Sequence, residues 1–402
     1  MIKPHKPYYL LLLVLFCCKK PYTPPAITGN GSYLVVQGVI NAGSDSTTIS
    51  LSRTVKVSSA VTANPVLNAI VAVQSDQNVS YPLTETTNGN YVAAGLNLDV
   101  AHQYRLSIKT SNNVQYQSDL VPVIITPPID SIGFNILSSP ADTGIQIYAN
   151  AHDPTNTIKY FRWDYSEAWK FHSKFYSYYI SDGTTLELRT PAQDVSTCYT
   201  NDVSSNIVLG STAKLKQAEV YQNPIIFIPS TSEKLESEYS IQLRQYALTA
   251  DAYNFWVNLK TNSEQLGSIF DAQPSTVNGN IHCITNPSEP VIGYLSVSTV
   301  PTKRIFIQSS QIPSWIPLYP YTCSEPYCCL PPNCKPPGFC LDTVRLGSVS
   351  FIGELVKESN AYVDDGLPPA NGDLLPAYFF VVPRECADCT TRGSTTPPPF
   401  WK

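Results

Sequence analysis

From Tyr33 onward the chain reads as short runs of alternating apolar and polar residues, broken by turn formers. In Tyr104-Arg105-Leu106-Ser107-Ile108-Lys109 the apolar residues fall on one face and the polar ones on the other, which is the period of a half-buried strand. Runs at 33–40, 47–53, 67–75, 79–85, 90–95, 102–110 and 113–119 predict further strands of this kind. Asn88-Gly89 and Asn112-Asn113 lie between runs, and these residues tolerate the positive φ of a hairpin turn. The spacing predicts an immunoglobulin-like or transthyretin-like β-sandwich over 33–127. Val121-Pro-Val-Ile-Ile-Thr-Pro-Pro128 closes it as an exit strand and a stiff boundary.

Residues 128–402 predict a larger, β-rich domain, so the fold class is mostly β with one main helix. Strands are expected at 143–149 and 158–166. In Phe161-Arg162-Trp163-Asp164-Tyr165 aromatics alternate with charges, again a half-buried strand. The helix begins at Thr249 as N-cap, carries Asp251 in its first turn and is expected to stop at Gly267. Ala252, Phe255, Trp256 and Leu259 share one of its faces. Val291–Ser298 and Lys303–Gln308 read as an antiparallel pair. From about residue 313 to 402 the chain is rich in Pro and Cys, with few periodic runs.

The first residues have a different pattern. Lys3 and Lys6 precede an unbroken apolar run from Leu10 to Phe16, which is too short to span a bilayer. The run ends at Cys17-Cys18, so Leu15-Phe16-Cys17-Cys18 fits a bacterial lipobox with Leu at −3, a small residue at −1 and Cys18 as the acylated thiol. Cys17 fits less well, because bulky Phe16 precedes it. Residues 1–17 are thus expected to be a lipoprotein signal peptide, and 18–32 a Pro- and Gly-containing tether. The acyl chains would hold the body at a membrane, each buried methylene contributing about 0.8 kcal/mol.

Composition narrows the function. Of 402 residues only 14% are charged, against roughly 25% in an average soluble domain. Hydrophobic residues make up 43%, which is enough for a sizeable core and excludes disorder throughout. The net charge is −5 and no basic cluster follows residue 20, so nucleic acid is not an expected partner. Hydrolase and nucleotide-binding signatures are missing from the sequence. His5, His102, His152, His172 and His282 are scattered. His172 lies near Glu167 and Asp182 in sequence, and Asp153 with Glu167, or Asp364 with Asp365, could be imagined as paired carboxylates. Solvated loop acids and a structural histidine are the simpler reading. No catalytic residue, cofactor or metal site is expected.

With Cys17 removed and Cys18 acylated, nine cysteines remain. In an oxidising compartment disulfides are the default. Cys198 and Cys283 stand apart from the others and are expected to pair. Cys323, Cys328, Cys329, Cys334, Cys340, Cys386 and Cys389 cluster near the end, where cross-links would limit unfolded-state entropy. Nine is odd, so at least one thiol stays free or pairs with another molecule. The alternative use of Cys386-x-x-Cys389 is half a zinc site, although no second C-x-x-C lies between Cys323 and Cys340. Trp163, Trp169, Tyr176, Tyr178, Tyr179 and Trp315 could form a platform for a sugar or peptide ligand if they face outward, and core if they face inward.

Several stretches resemble a Bacteroidota lipoprotein family catalogued as domain of unknown function 4249. They are Tyr33-Leu-Val-Val-Gln-Gly-Val-Ile, Thr126-Pro-Pro-Ile-Asp-Ser131, Tyr160-Phe-Arg-Trp-Asp-Tyr-Ser-Glu-Ala-Trp169 and Tyr239-Ser-Ile-Gln-Leu-Arg-Gln-Tyr246. Gly267-Ser-Ile-Phe-Asp-Ala-Gln-Pro-Ser275, Gly279-Asn-Ile-His-Cys283, Val291-Ile-Gly-Tyr294, Cys386-Ala-Asp-Cys-Thr390 and terminal Phe400-Trp401 look similar too, so that nearly the whole mature chain is covered. The resemblance implies a non-enzymatic outer-membrane lipoprotein that serves a TonB-dependent β-barrel transporter in nutrient uptake. The alternative expectation is a free-standing surface lipoprotein that binds a glycan or acts as an adhesin. The resemblance carries over no catalytic residues. Lys19-Lys20-Pro21 stands where surface-exported relatives have an acidic run, which leaves the facing of the anchor open.

Overall fold

The computed structural model describes residues 32–55, 64–139, 142–181, 186–264, 279–320, 322–323, 327–329, 353–356 and 379–401. The expected signal peptide, Cys17, Cys18 and nearly all of the expected tether lie outside them, as do Asp182, Gly267, Cys334, Cys340, Asp364 and Asp365. Among the described residues no helix is long and apolar enough to cross a membrane.

The first unit starts as the hydrophobic pattern predicts. Its strands are β1 (Leu34–Asn41), β2 (Thr47–Arg53), β3 (Ile70–Ser75), β4 (Ser80–Glu85), β5 (Asn90–Ala93), β6 (Gln103–Lys109), β7 (Gln115–Ser118) and β8 (Val121–Pro122). The β4–β5 hairpin turns on Asn88 and Gly89, both at positive φ, and the β6–β7 hairpin on Asn113 at φ 65°. A side chain at Gly89 would have its Cβ 2.5 Å from the Leu51 carbonyl oxygen, so turn and packing both require glycine. β4 pairs with β3 along Val71↔Leu83 and with β5 at Thr84↔Val92, and so joins the two halves of a sandwich-like unit. Alternate residues Tyr104, Leu106 and Ile108 are buried in its core. Tyr91 is buried with them, its hydroxyl donating to the Val66 carbonyl and accepting from the Ala69 N–H, both at 2.9 Å.

The second unit carries longer strands: β9 (Ile129–Ser138), β10 (Thr143–His152), β11 (Tyr160–His172), β12 (Tyr179–Ser181), β13 (Leu186–Leu188), β14 (Thr197–Val203), β15 (Val208–Ser211), β16 (Glu219–Pro229) and β17 (Glu238–Leu248). Helix α1 (Ala250–Glu264) follows, and the Thr249 hydroxyl caps it by accepting from the Ala252 N–H at 3.1 Å. β16-β10-β9 form one sheet, and β14-β11-β17 with a later strand form another. Ile145, Ile147 and Ile228 of the first sheet share a core with Phe161, Trp163, Ile241 and Leu243 of the second.

The chain then returns to the first unit. β18 (Ile281–Cys283) pairs with β7, while β19 (Val291–Ile292) and β20 (Val297–Ser298) pair in parallel with β1. Ile281, Val291, Leu295 and Val297 are buried in the first core. The sandwich is therefore not contained in 33–127. It is closed by residues about 160 positions later, a pairing that local periodicity does not report. β21 (Thr302–Gln308) goes back to the second unit beside β17. Val291–Ser298 and Lys303–Gln308 are thus not a pair with each other, because the runs belong to different units. β22 (Tyr327–Cys329), β23 (Gly353–Val356) and β24 (Phe379–Pro383) form a small sheet, and the short helix α2 (Arg384–Ala387) begins a terminal strap.

That strap is held by two disulfides. Cys198 on β14 bonds to Cys389, and Cys323 bonds to Cys386, with Cα separations of 5.7 and 5.9 Å. Trp401 packs edge-on against Tyr199 and Phe306 and donates to Glu238 Oε2 at 2.8 Å. The expected Cys198–Cys283 bond does not form. Cys198 sits in the second core and Cys283 in the first, where it is a buried free thiol. Because Cys386 and Cys389 each have a different disulfide partner, the pair is not half a zinc site. Cys328 and Cys329 are described only as backbone of β22.

Candidate functional site

Strand register builds the site. On β11 and β17 the odd-numbered residues turn into the second core, so Arg162, Asp164, Arg244 and Tyr246 share the other face, beside first-unit residues Gln37, Val39 and Thr48. Antiparallel pairing sets Asp164 opposite Arg244 and Arg162 opposite Tyr246. Cross-strand neighbours on one face lie close enough for their side chains to meet. Asp164 Oδ1 accepts from Arg244 Nε in an ion pair, and its Oδ2 accepts from the Tyr246 hydroxyl at 2.8 Å. Arg162 lies over the Tyr246 ring, 4.3 Å from its centroid, and 4.4 Å from the centroid of Trp256, which α1 brings down from above.

These groups floor a cleft of about 830 Å³ between the two units. Gln37, Thr48 and Ser50 of β1 and β2 line one wall, and the β14–β15 loop, including Ser205 and Asn206, lines another. Val39, Tyr294 and Val300 pack against Tyr246, Leu248 and Ala252 where the units touch. Beneath the floor, Trp163 donates to Gln245 Oε1 at 2.8 Å, and Gln245 donates to the Pro127 carbonyl at 2.8 Å. The stiff segment between the units is thereby tied to the central strands.

The electrostatics follow from burial and partners. Burial lowers the Arg162 pKa from its ordinary value, since the charge has lost water, and Tyr246 and Asp164 only partly offset this. Burial and then the neighbouring Asp164 carboxylate push the Tyr246 phenol well up, so it stays a donor. At Arg244 burial opposes the charge, but Asp164 and Tyr246 together outweigh it and raise the pKa. Arg162 Nε is buried without a hydrogen-bond partner.

Of the two alternatives for the aromatics, Trp163 and Trp169 take the core and no platform assembles among the described residues. Trp163 and Trp169 are buried in the second core, because they occupy inward positions of β11. Trp315 packs partly buried against the same core. Tyr176 and Tyr178 are exposed and meet edge-on at 4.5 Å, away from the cleft floor, and the Tyr179 side chain lies outside the described residues. Nor do Asp153 and Glu167 form a carboxylate pair, since each has partners of its own; Asp364 and Asp365 lie outside the described residues. Glu167 is buried and accepts from Lys234 and from the Tyr239 hydroxyl at 2.6 Å. His172 falls on the opposite face of β11 and has Glu236 at 3.7 Å. Asp153 is wrapped by its own loop, accepting from the N–H groups of Thr155, Thr157 and Ile158. Burial works against its charge, but these bonds outweigh burial and hold the carboxyl well below its ordinary range. Among the described residues no group of three or more His, Cys, Asp or Glu could hold a metal ion.

Arg162 and Asp164 carried a signal in the sequence, as the charged half of an aromatic–charge alternation. Arg244 and Tyr246 stood out only within a family-like stretch and Trp256 only on one face of the helix, because nothing local to them states the register with β11.

The model of a family described as a domain of unknown function, DUF4249, matches residues 19–304. The chain belongs to that family. The match includes both walls and the floor of the cleft and ends before the disulfide-held strap, so the likeness at Cys386–Thr390 and Phe400-Trp401 is not part of it. No curated protein matches the chain. A solved structure, the Yersinia pseudotuberculosis adhesin InvE, aligns at 16% identity over 54% of this chain with a TM-score of 0.15, too low to define a common fold. The chain spans about half the length of that structure, 55%.

Proposed function

We propose that this protein is a non-enzymatic lipoprotein, acylated at Cys18 and held at the outer membrane, that assists a TonB-dependent β-barrel transporter in nutrient uptake. The observation that carries the reading is the cleft between the two units. Its volume is that of a small-molecule site, and its charged groups are organised for holding a ligand. Asp164 is saturated by Arg244 and Tyr246, and guanidinium groups do not exchange protons at ordinary pH. The lipobox at Leu15–Cys18 and membership of the family support the location and the partner class.

The test is affinity purification of the tagged protein from detergent-solubilised envelope, followed by mass spectrometry. A large β-barrel transporter should enrich with the wild type. Cys18→Ser should abolish fatty-acid labelling and release the protein from membranes. Enrichment of no barrel protein would refute the partnership and favour a free-standing glycan-binding or adhesive lipoprotein. Fatty-acid labelling that survives Cys18→Ser would refute the anchor.

A further inference from the structure

We infer that the cleft binds an acidic saccharide, with Arg162 and Arg244 as the carboxylate receptors. The inference deepens the reading of the cleft as a ligand site and rests on it, but it does not depend on the transporter partnership.

The floor holds two guanidinium groups and one carboxylate. Both oxygens of Asp164 are taken, one by Arg244 Nε and the other by the Tyr246 hydroxyl. Arg162 Nη2 stands 3.8 Å from Asp164 Oδ2, beyond hydrogen-bond reach, and its Nε has no acceptor. Asp45, at the exposed mouth, is the other acid of the lining. Arg162 is thus a desolvated cation with unused donors, packed against the rings of Tyr246 and Trp256. Such a group is costly while it lacks an acceptor, and a planar carboxylate fits its fork. Arg244 is partly exposed beside it and adds a second positive charge.

The walls favour a sugar over a peptide. Thr48 and Ser46 on one side, and Ser205 and Asn206 on the other, present hydroxyl and amide groups suited to a polyol. A peptide bound in extended form would pair with a free strand edge. The cleft's main strands have none to offer: β1 lies between β2 and β19, β2 between β1 and β5, β11 between β14 and β17, and β17 between β11 and β21. The volume suits about two or three sugar units.

Isothermal titration calorimetry on the full-length chain in detergent tests this with three probes: trigalacturonate, its fully methyl-esterified form, and triglutamate. Trigalacturonate should bind, the ester at least about tenfold more weakly, and added salt should weaken the acid form alone. Arg244→Gln should weaken binding about fivefold or more, whereas Asp164→Asn, which removes the competing negative charge, should strengthen it about threefold. A purely structural role for Asp164 predicts weaker binding in that variant. Equal binding of acid and ester, binding of neither, or binding of triglutamate alone would overturn the inference. The ester comparison uses the wild-type protein, so it stands even if a variant misfolds. It also reads out separately from barrel enrichment, so either result can fail without the other.

Discussion

The two units solve the same problem, burying one face of a sheet, with different means. In the first, strands of two to eight residues are joined by tight Asn- and Gly-based turns, and the core is mainly aliphatic side chains and tyrosines. The buried Tyr104 hydroxyl returns to nearby backbone at Asp99, whereas that of Tyr116 donates to Glu289 on the returning segment. In the second, strands of up to 13 residues bury Trp163, Phe161 and Phe171, and long-range pairs such as Glu167–Lys234 and Cys198–Cys389 hold distant segments together. Local turns can set register where strands are short and adjacent. Where partners lie far apart in sequence, side-chain pairs and covalent bonds have to select the arrangement. Yet the first unit is completed by three strands from 281–298, so local design starts it and does not finish it.

The sharpest test of that contrast is to cut the first unit where its sequence appears to end. A fragment of residues 32–127 should show no cooperative unfolding by circular dichroism, and joining it to 279–300 through a flexible linker should restore a transition. Ile281, Val291, Leu295 and Val297 each contribute about 1.5–3 kcal/mol of burial, together comparable with the whole stability of a domain, about 5–15 kcal/mol. A cooperative transition in 32–127 alone would show that local turns suffice.

A smaller effect should single out the second unit. Cys389→Ala opens a bond between residues 191 positions apart and should cost about 2–5 kcal/mol. Differential scanning calorimetry should show the transition of the second unit lowered and that of the first unmoved. Equal shifts in both would mean that the two do not melt as separate units.

The smallest effect concerns a single loop. Asp153→Asn should destabilise by about 1–3 kcal/mol at pH 7, through lost charge-assisted bonds to Thr155, Thr157 and Ile158. The folded pKa lies below the ordinary value of 3.8, so the carboxylate's contribution is complete above that pH and is lost as pH falls toward the folded pKa. The gap between wild type and variant should therefore narrow below about pH 4. A gap that stays constant down to pH 2 would show that charge at Asp153 is not what stabilises the loop.

Much of the architecture was legible before any coordinates. The seven early strands, the turn at Asn88-Gly89, the long strand through Trp163 and the helix capped by Thr249 all follow from residue patterns read within a dozen positions. The misreadings share one cause. Cys198 is matched to Cys283, and Val291–Ser298 to Lys303–Gln308, from proximity or type along the chain, while the facing of the β11 aromatics stays open. In the fold, each is settled by which of the two cores the residue enters.

The same division holds for the candidate site. By itself the chain determined its strand periods, its turn chemistry and the charged positions Arg162 and Asp164, because these depend on neighbours in sequence. Only the tertiary structure decided that Arg244, Tyr246 and Trp256 gather around Arg162, and that β18–β20 close a sandwich begun far upstream. Strand pairing and helix docking are choices among many distant segments, and burial and charge complementarity make that choice only once the whole chain is packed.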